Sequence, residues 1–171
     1  MVSFEEFVEV SSPRLVRTAR MLLGSSSDAE DLAQETLIRM HRHWSRLREP
    51  NAAEGYGLKT LVRLTRRHLT RARFRREEPL SDQFDVHQPE SSTSEDAPAV
   101  MNALAALPLR QRETIVLRYF LDLTVEDTAR VMRCSAGTVK SQTSDALNAM
   151  RSQLAEPGVN PALGKGSYGN T

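Results

Sequence analysis

Cysteine is nearly absent: Cys134 is the single one in 171 residues. One thiol cannot close an internal disulfide, so a reducing compartment suits the chain. Cys134 has no ligand partners at zinc spacing, and His41 and His43, two apart, point to different sides of a helix, so no metal site is expected. Aromatic residues make up only 5% and strand-like alternation is missing, which favours an all-α chain over any sheet. No apolar run approaches membrane-spanning length. The N-terminal MVSFEEFVEV lacks the basic flank and continuous apolar core of a signal peptide, so a cytoplasmic location is expected. No Gly-rich phosphate loop or nucleophile motif occurs, so nothing supports an enzyme or a cofactor.

A net charge of +1 is also uninformative, although 26% of residues are charged. Partners must be read from where the charge lies. It is sharply segregated. A helix expected from about Tyr56 to Arg76 has a core face of Leu58, Leu61, Val62, Thr65, Leu69 and Ala72. Its other positions carry Lys59, Arg63, Arg66, Arg67, Arg71, Arg73, Arg75 and Arg76, with His68, and no acid occurs between Glu54 and Glu77. A solvated helix normally mixes signs through i,i+4 pairs. One-signed charge repels itself, and a polyanion relieves that cost. Nucleic acid is favoured over a membrane surface, because the apolar face is needed for the core, and over plain solubility. Glu77 to Ala97 then reverses the sign: seven acids, serines and prolines, and no Lys or Arg, which reads as a flexible acidic linker. The expected organisation is a helical domain over 1–76, the linker over 77–97, a second helical domain over 98–154 and a disordered, Gly- and Pro-rich tail over 155–171.

Within the first domain, Ser3 and Glu6 make a capping box, Ser12-Pro13 reads as a second helix start, and Gly24 as a stop. Ser27 to Trp44 forms a helix with its own Ser27–Glu30 capping box and a stripe of Ala29, Leu32, Ala33, Leu37, Met40 and Trp44. Asp31, Gln34, Glu35, Ile38 and Arg42 lie largely off that stripe; charges on a helix are usually a solvated face, but an isoleucine among them hints at a protein-binding one. Arg48 to Gly55 reads as a loop.

In the second domain a short helix, Ala99 to Leu107, stops before Pro108, and Pro108 starts another with Ile115, Val116, Tyr119 and Phe120 as its apolar residues. Thr124 to Gln142 reads as a helix-turn-helix. Thr124 is an N-cap with Asp127 as its partner, Arg133-Cys134 is the break, and Ser135 is a second N-cap. Val139, Thr143, Ala146 and Met150 face inward, leaving Thr138, Lys140, Ser141 and Gln142 at the end that such a motif inserts into the major groove. An ordinary helical hairpin in an all-α core is the alternative.

Two segments resemble a known family. SDAEDLAQETLIRMHRHW is similar to the polymerase-binding helix of region 2 of bacterial sigma factors, and LPLRQRETIVLRYFLDLTVEDTARVMRCSAGTVKS resembles region 4. With only these two regions, the chain looks like an extracytoplasmic-function (ECF) sigma factor over about residues 4 to 154. The resemblance implies two small helical domains and binding to core RNA polymerase through Asp31, Gln34, Glu35 and Ile38. It implies contact with the melted −10 element through Asn51, Lys59, Arg63, Arg66, Arg67 and Arg71. It implies recognition of the −35 element through Thr124, Ser135, Thr138, Lys140, Ser141 and Gln142. An anti-sigma factor is a usual partner of the family, and the acidic linker is placed to mimic RNA. Arg63 stands where members often have Asn, Tyr56 where Trp is commoner, and Gln142 and Asp145 where Arg is common. Two rivals remain: a stand-alone helix-turn-helix regulator, which leaves the Asp31–Glu35 face unexplained, and a helical interaction module, which leaves the arginine helix unexplained.

Overall fold

The computed structural model describes residues 3–24, 26–47, 50–75 and 97–155. Among these, every regular element is helical, and no helix is long and apolar enough to cross a membrane. The N-terminal bundle consists of α1 (Phe4–Leu23), α2 (Ser26–His43) and α3 (Pro50–Arg75). The C-terminal bundle consists of α4 (Ala97–Ala105), α5 (Leu109–Ile115), α6 (Val125–Met132) and α7 (Ala136–Leu154).

α1 starts at the expected capping box. The Glu6 amide donates to Ser3 Oγ at 3.1 Å and the Ser3 amide to Glu6 Oε2 at 2.8 Å. It ends at Gly24, whose left-handed φ of 77° lets its N–H reach Arg20 O. The second start expected at Ser12-Pro13 does not occur: Pro13 lies inside one continuous helix. Proline removes a single amide donor, and here its turn faces solvent, where water can serve the carbonyl left over. The inward residues Phe7, Leu15, Ala19 and Leu22 stay in phase across it.

α2 begins at Ser26, so Ser27 sits within its first turn instead of capping it, and Trp44 lies in a 3-10 turn, Trp44–Arg46, after the helix end. The loop expected up to Gly55 is also corrected, since α3 already begins at Pro50. Proline suits a first helical position, and Gly55, which suggested a loop, is interior to the helix. Gly57 is there for packing: a Cβ at that position would stand 2.9 Å from Met40 Sδ. Buried Ala19, Ala29, Ala33 and Ala53 extend this small-residue seam, letting three helices approach closely. Phe4 and Phe7 close one end on Trp44, with ring centroids 5.2 and 5.1 Å away.

In the C-terminal bundle α5 widens into a π turn, Val116–Phe120, closed by the Leu121 amide on Val116 O. Of the apolar residues read in this helix, Ile115 and Val116 are buried, while Tyr119 and Phe120 are each 42% exposed at that turn. Thr124 caps α6 and Ser135 caps α7, each accepting from the amide three residues on at 3.0 Å. Asp127 assists differently from a capping box, because its Oδ2 accepts the Thr124 hydroxyl at 2.7 Å.

The two bundles share a core. Leu22, Leu58 and Val62 from the first pack with Leu104, Leu107, Ile115, Leu117, Met132 and Met150 from the second. Arg112 is buried and donates to Leu22 O at 2.9 Å, to Leu107 O at 3.2 Å and to Ala105 O, so it serves carbonyls at the ends of α1 and α4 together. The acidic segment expected as a linker lies outside the described residues up to Asp96, as does the tail beyond Ala155.

Candidate nucleic-acid and polymerase interfaces

α3 divides its positions cleanly. Leu58, Leu61, Val62, Leu64 and Thr65 are buried, while Lys59, Arg63, Arg67 and Arg71 are exposed. These four cations recur every fourth residue, about 6 Å of rise per step, and so form one slowly winding row along the outer side. None of the four forms an ion pair with a described residue. His68, beside the row, has Nε2 3.5 Å from Asp28 Oδ2 and so faces α2. Asn51 lies in the first turn of α3, and its side chain is outside the described ones. Arg66 is separated from the row: it is half-buried and turned toward the C-terminal bundle, where it pairs with Glu113.

On α2, Asp31 and Gln34 are exposed, and Ile38 is 49% exposed between Gln34 and Arg42. Glu35 is half-buried and its Oε1 accepts from Arg39 Nε at 2.6 Å. The stripe of Ala29, Ala33 and Met40 on the opposite side is fully buried. This helix therefore presents an acidic patch around one apolar side chain, kept apart from its packing face.

The start of α7 stands free of the core. Thr138, Lys140 and Ser141 are exposed and Gln142 is half-buried, while Val139 beneath them is buried. The hydroxyls are held locally: Ser135 Oγ lies 2.9 Å from Thr138 Oγ1, and Ser141 Oγ donates to Thr138 O at 3.0 Å. The Thr138 and Ser141 hydroxyl oxygens keep an acceptor position for an outside donor. Thr124 is committed to capping α6, at the far end of the motif from Ser141. Arg133 makes the turn with φ 55° and ψ 55°.

The family comparisons bear on the same segments. The model for sigma-70 region 2 matches residues 7–75, and that for sigma-70 region 4 matches residues 98–150. The RNA polymerase sigma-E factor of Streptomyces avermitilis is 33% identical over 155 residues, 90% of this chain and 86% of that one. The ECF RNA polymerase sigma factor SigM of Mycobacterium tuberculosis is 30% identical over 144 residues, 84% of this chain and 73% of its own. The chain belongs to the ECF sigma factors of RNA polymerase. Among solved structures, the sigma factor RpoE from Bartonella quintana, crystallised with the anti-sigma factor NepR, shares the fold. Its TM-score is 0.72 at 24% identity, covering 90% of this chain and 98% of that one.

In sigma-factor terms, α1 to α3 are region 2 and α4 to α7 are region 4. The basic row lies on region 2 and the helix-turn-helix in region 4. Three residues that tie the regions together, Glu113, Arg112 and Arg14, were not singled out in the sequence, nor was Arg110, which holds α5 to α6 within region 4. Arg14 pairs with Glu54 and lies 3.5 Å from Leu121 O through Nη2; Arg110 donates to Met132 O at 3.2 Å. The one available signal was Arg112-Glu113 inside an apolar run, since charges there need partners when buried.

Proposed function

We propose that this sigma factor brings core RNA polymerase to promoters by three separate surfaces. The row of Lys59, Arg63, Arg67 and Arg71, with Asn51 and Arg66, holds the backbone of the melted −10 strand. The start of α7, with Thr138, Lys140, Ser141 and Gln142 supported by Ser135 and Thr124, reads the −35 element as duplex. The α2 face of Asp31, Gln34, Glu35 and Ile38 docks on core polymerase. The chain performs no chemistry itself; it works with the polymerase in the cytoplasm. An anti-sigma factor, of the kind that RpoE holds in its solved complex, is a further partner.

The observation that carries this reading is the separation of the exposed surfaces: one-signed charge on α3, short polar groups on α7 and an acid-ringed isoleucine on α2. Phosphate needs the first, base edges the second and a protein partner the third.

Run-off transcription with purified core polymerase on a genomic library tests it. Discrete starts that depend on the added chain are expected. The double change Asp31→Lys and Glu35→Lys places like charges against the partner at a cost of several kcal/mol, and should abolish co-purification with core. Thermal stability should fall by no more than about 1 kcal/mol, because both side chains are off the packing face and Glu35→Lys exchanges only the Glu35–Arg39 pair for two like charges. A folded double variant that still assembles and transcribes would remove the docking role from α2. Duplex operator binding without polymerase would favour the stand-alone regulator.

A further inference from the structure

Asp145 is an acid on the outer side of a helix that meets a polyanion. Val139, Ala146, Met150 and Leu154 are buried and fix the inward side of α7. Thr138, Ser141, Asp145 and Asn148 are exposed and, by their spacing, share the opposite side. From Thr138 to Asp145 the helix rises about 10 Å, which is about three base pairs of duplex. Both side chains can therefore face base edges in one groove.

Nothing on the helix neutralises this acid. The Asp145 carboxylate makes no ion pair or hydrogen bond with a described residue. The positions one turn away hold Ser141, Gln142, Asn148 and Ala149, none of them a cation. The next cation along, Arg151, donates instead to Asn148 Oδ1 at 3.2 Å.

A bare acid is ordinary on a solvated helix, but here it lies in line with Thr138 and Ser141. Facing a phosphate it would be repelled. Facing base edges it would be selective, because a carboxylate only accepts. In the major groove guanine shows two acceptors, and thymine an acceptor and a methyl group, so both reject it. Adenine offers its N6 amino group with the N7 acceptor beside it. Cytosine offers the N4 amino group and no acceptor of its own.

We propose that Asp145 is a specificity-determining residue of the −35 readout. Its carboxylate accepts from cytosine N4 and selects that base about three base pairs from the one that Thr138 meets. The same charge weakens binding to the other bases, so the choice comes from rejection as well as attraction. The proposal rests on α7 being the −35 reader and names one base that it reads.

The test offers core polymerase, assembled with the full-length chain, promoter duplexes randomised over the −35 element, and sequences the bound fraction. The parent should favour cytosine at one position by about tenfold. Asp145→Ala should flatten that position to within about twofold and leave the others as they were. Asp145→Asn should turn it to adenine, because an amide pairs with N6 and N7 together. Asp145 is exposed, so both variants should melt with the parent. If Asp145→Ala binds all sequences more tightly by one factor, with the preference unmoved, the carboxylate only repels phosphate and the proposal is overturned. Unchanged binding and preference would overturn it too, by placing Asp145 off the DNA. Exchanging Ser141 and Gln142 separates this failure from that of the underlying reading. If that exchange moves the −35 preference while the Asp145 variants do not, α7 remains the reader and the cytosine contact alone is lost. If neither moves it, α7 is not the reader, and the proposal falls with it.

Discussion

Regions 2 and 4 each offer a helix suited to DNA, and the two are built from different chemistry. α3 shows four cations in a row and no acid beside them. α7 shows, at its start, two hydroxyls, one ammonium and an amide, with Asp145 exposed a turn further on. Charge acts without regard to direction and suits phosphates whatever the base; hydroxyls and amides act along fixed directions and suit base edges. Their backing differs accordingly. The row on α3 rests on a deep core face that includes Leu61, Val62 and Thr65, while the start of α7 is fixed by the Ser135 cap and by Val139. Binding without sequence choice needs only a rigid rail, whereas readout needs a few side chains held in register.

The contrast is one of surfaces, because the largest core cluster draws on both regions, although region 2 also has apolar clusters of its own. Breaking the shared cluster should have the largest effect. Leu104 is fully buried in the cluster that also contains Leu22, Leu58 and Val62 of region 2. Leu104→Ala should cost about 2–5 kcal/mol, and a single melting transition should carry both regions down together. Two transitions, with region 2 unmoved, would show that the regions melt independently.

The surface contrast itself is sharpened by salt. Arg63→Ala with Arg67→Ala should weaken single-strand binding alike on all sequences and lower the log–log salt slope by about 0.7 for each phosphate that is no longer neutralised. Exchanging Ser141 and Gln142 should leave that slope almost unchanged while shifting the preferred −35 sequence, by about 1–3 kcal/mol per specific base pairing. Affinity titrations at several salt concentrations on matched and altered sites separate the two. If the α3 double variant changed sequence preference instead, the division of labour between the helices would be wrong.

Local signals in the sequence carried most of the helices. Ser3, Thr124 and Ser135 cap where expected, Gly24 stops α1, and the inward faces of α2, α3 and α7 are the ones that spacing predicts. Prolines and glycines misled, because their meaning depends on packing: Pro13 is carried through by the apolar residues on either side, and Pro50 and Gly55, read as loop residues, belong to α3. The exposed rows were equally legible, since they follow from the same periodicity. The tie between the regions was not. Arg66 differs from Arg63 and Arg67 only through a carboxylate 47 residues away, and no local pattern records that partner.

The smallest effects should come from the turn that joins α6 to α7, and they should have opposite signs. Ser135→Ala removes the hydroxyl that accepts the Thr138 amide, so it should cost about 1 kcal/mol, the ordinary worth of an N-cap. Arg133 is the reverse case. It holds φ 55°, a left-handed conformation that costs a residue with a Cβ about 1 kcal/mol and glycine almost nothing. Glycine gives part of this back, because its unfolded chain has more freedom to lose. The turn keeps its shape without the Arg133 side chain, since Met132 O at the end of α6 accepts from Arg110 and lies within reach of Arg66. Arg133→Gly should therefore stabilise by about 0.5 kcal/mol, which for a chain of this length is a rise in Tm of about 1–2 °C. Paired thermal melts of the two variants check both signs at once. A fall in Tm for Arg133→Gly would mean that the Arg133 side chain holds something the backbone conformation does not, and the turn would then have to be understood through that interaction instead of through φ.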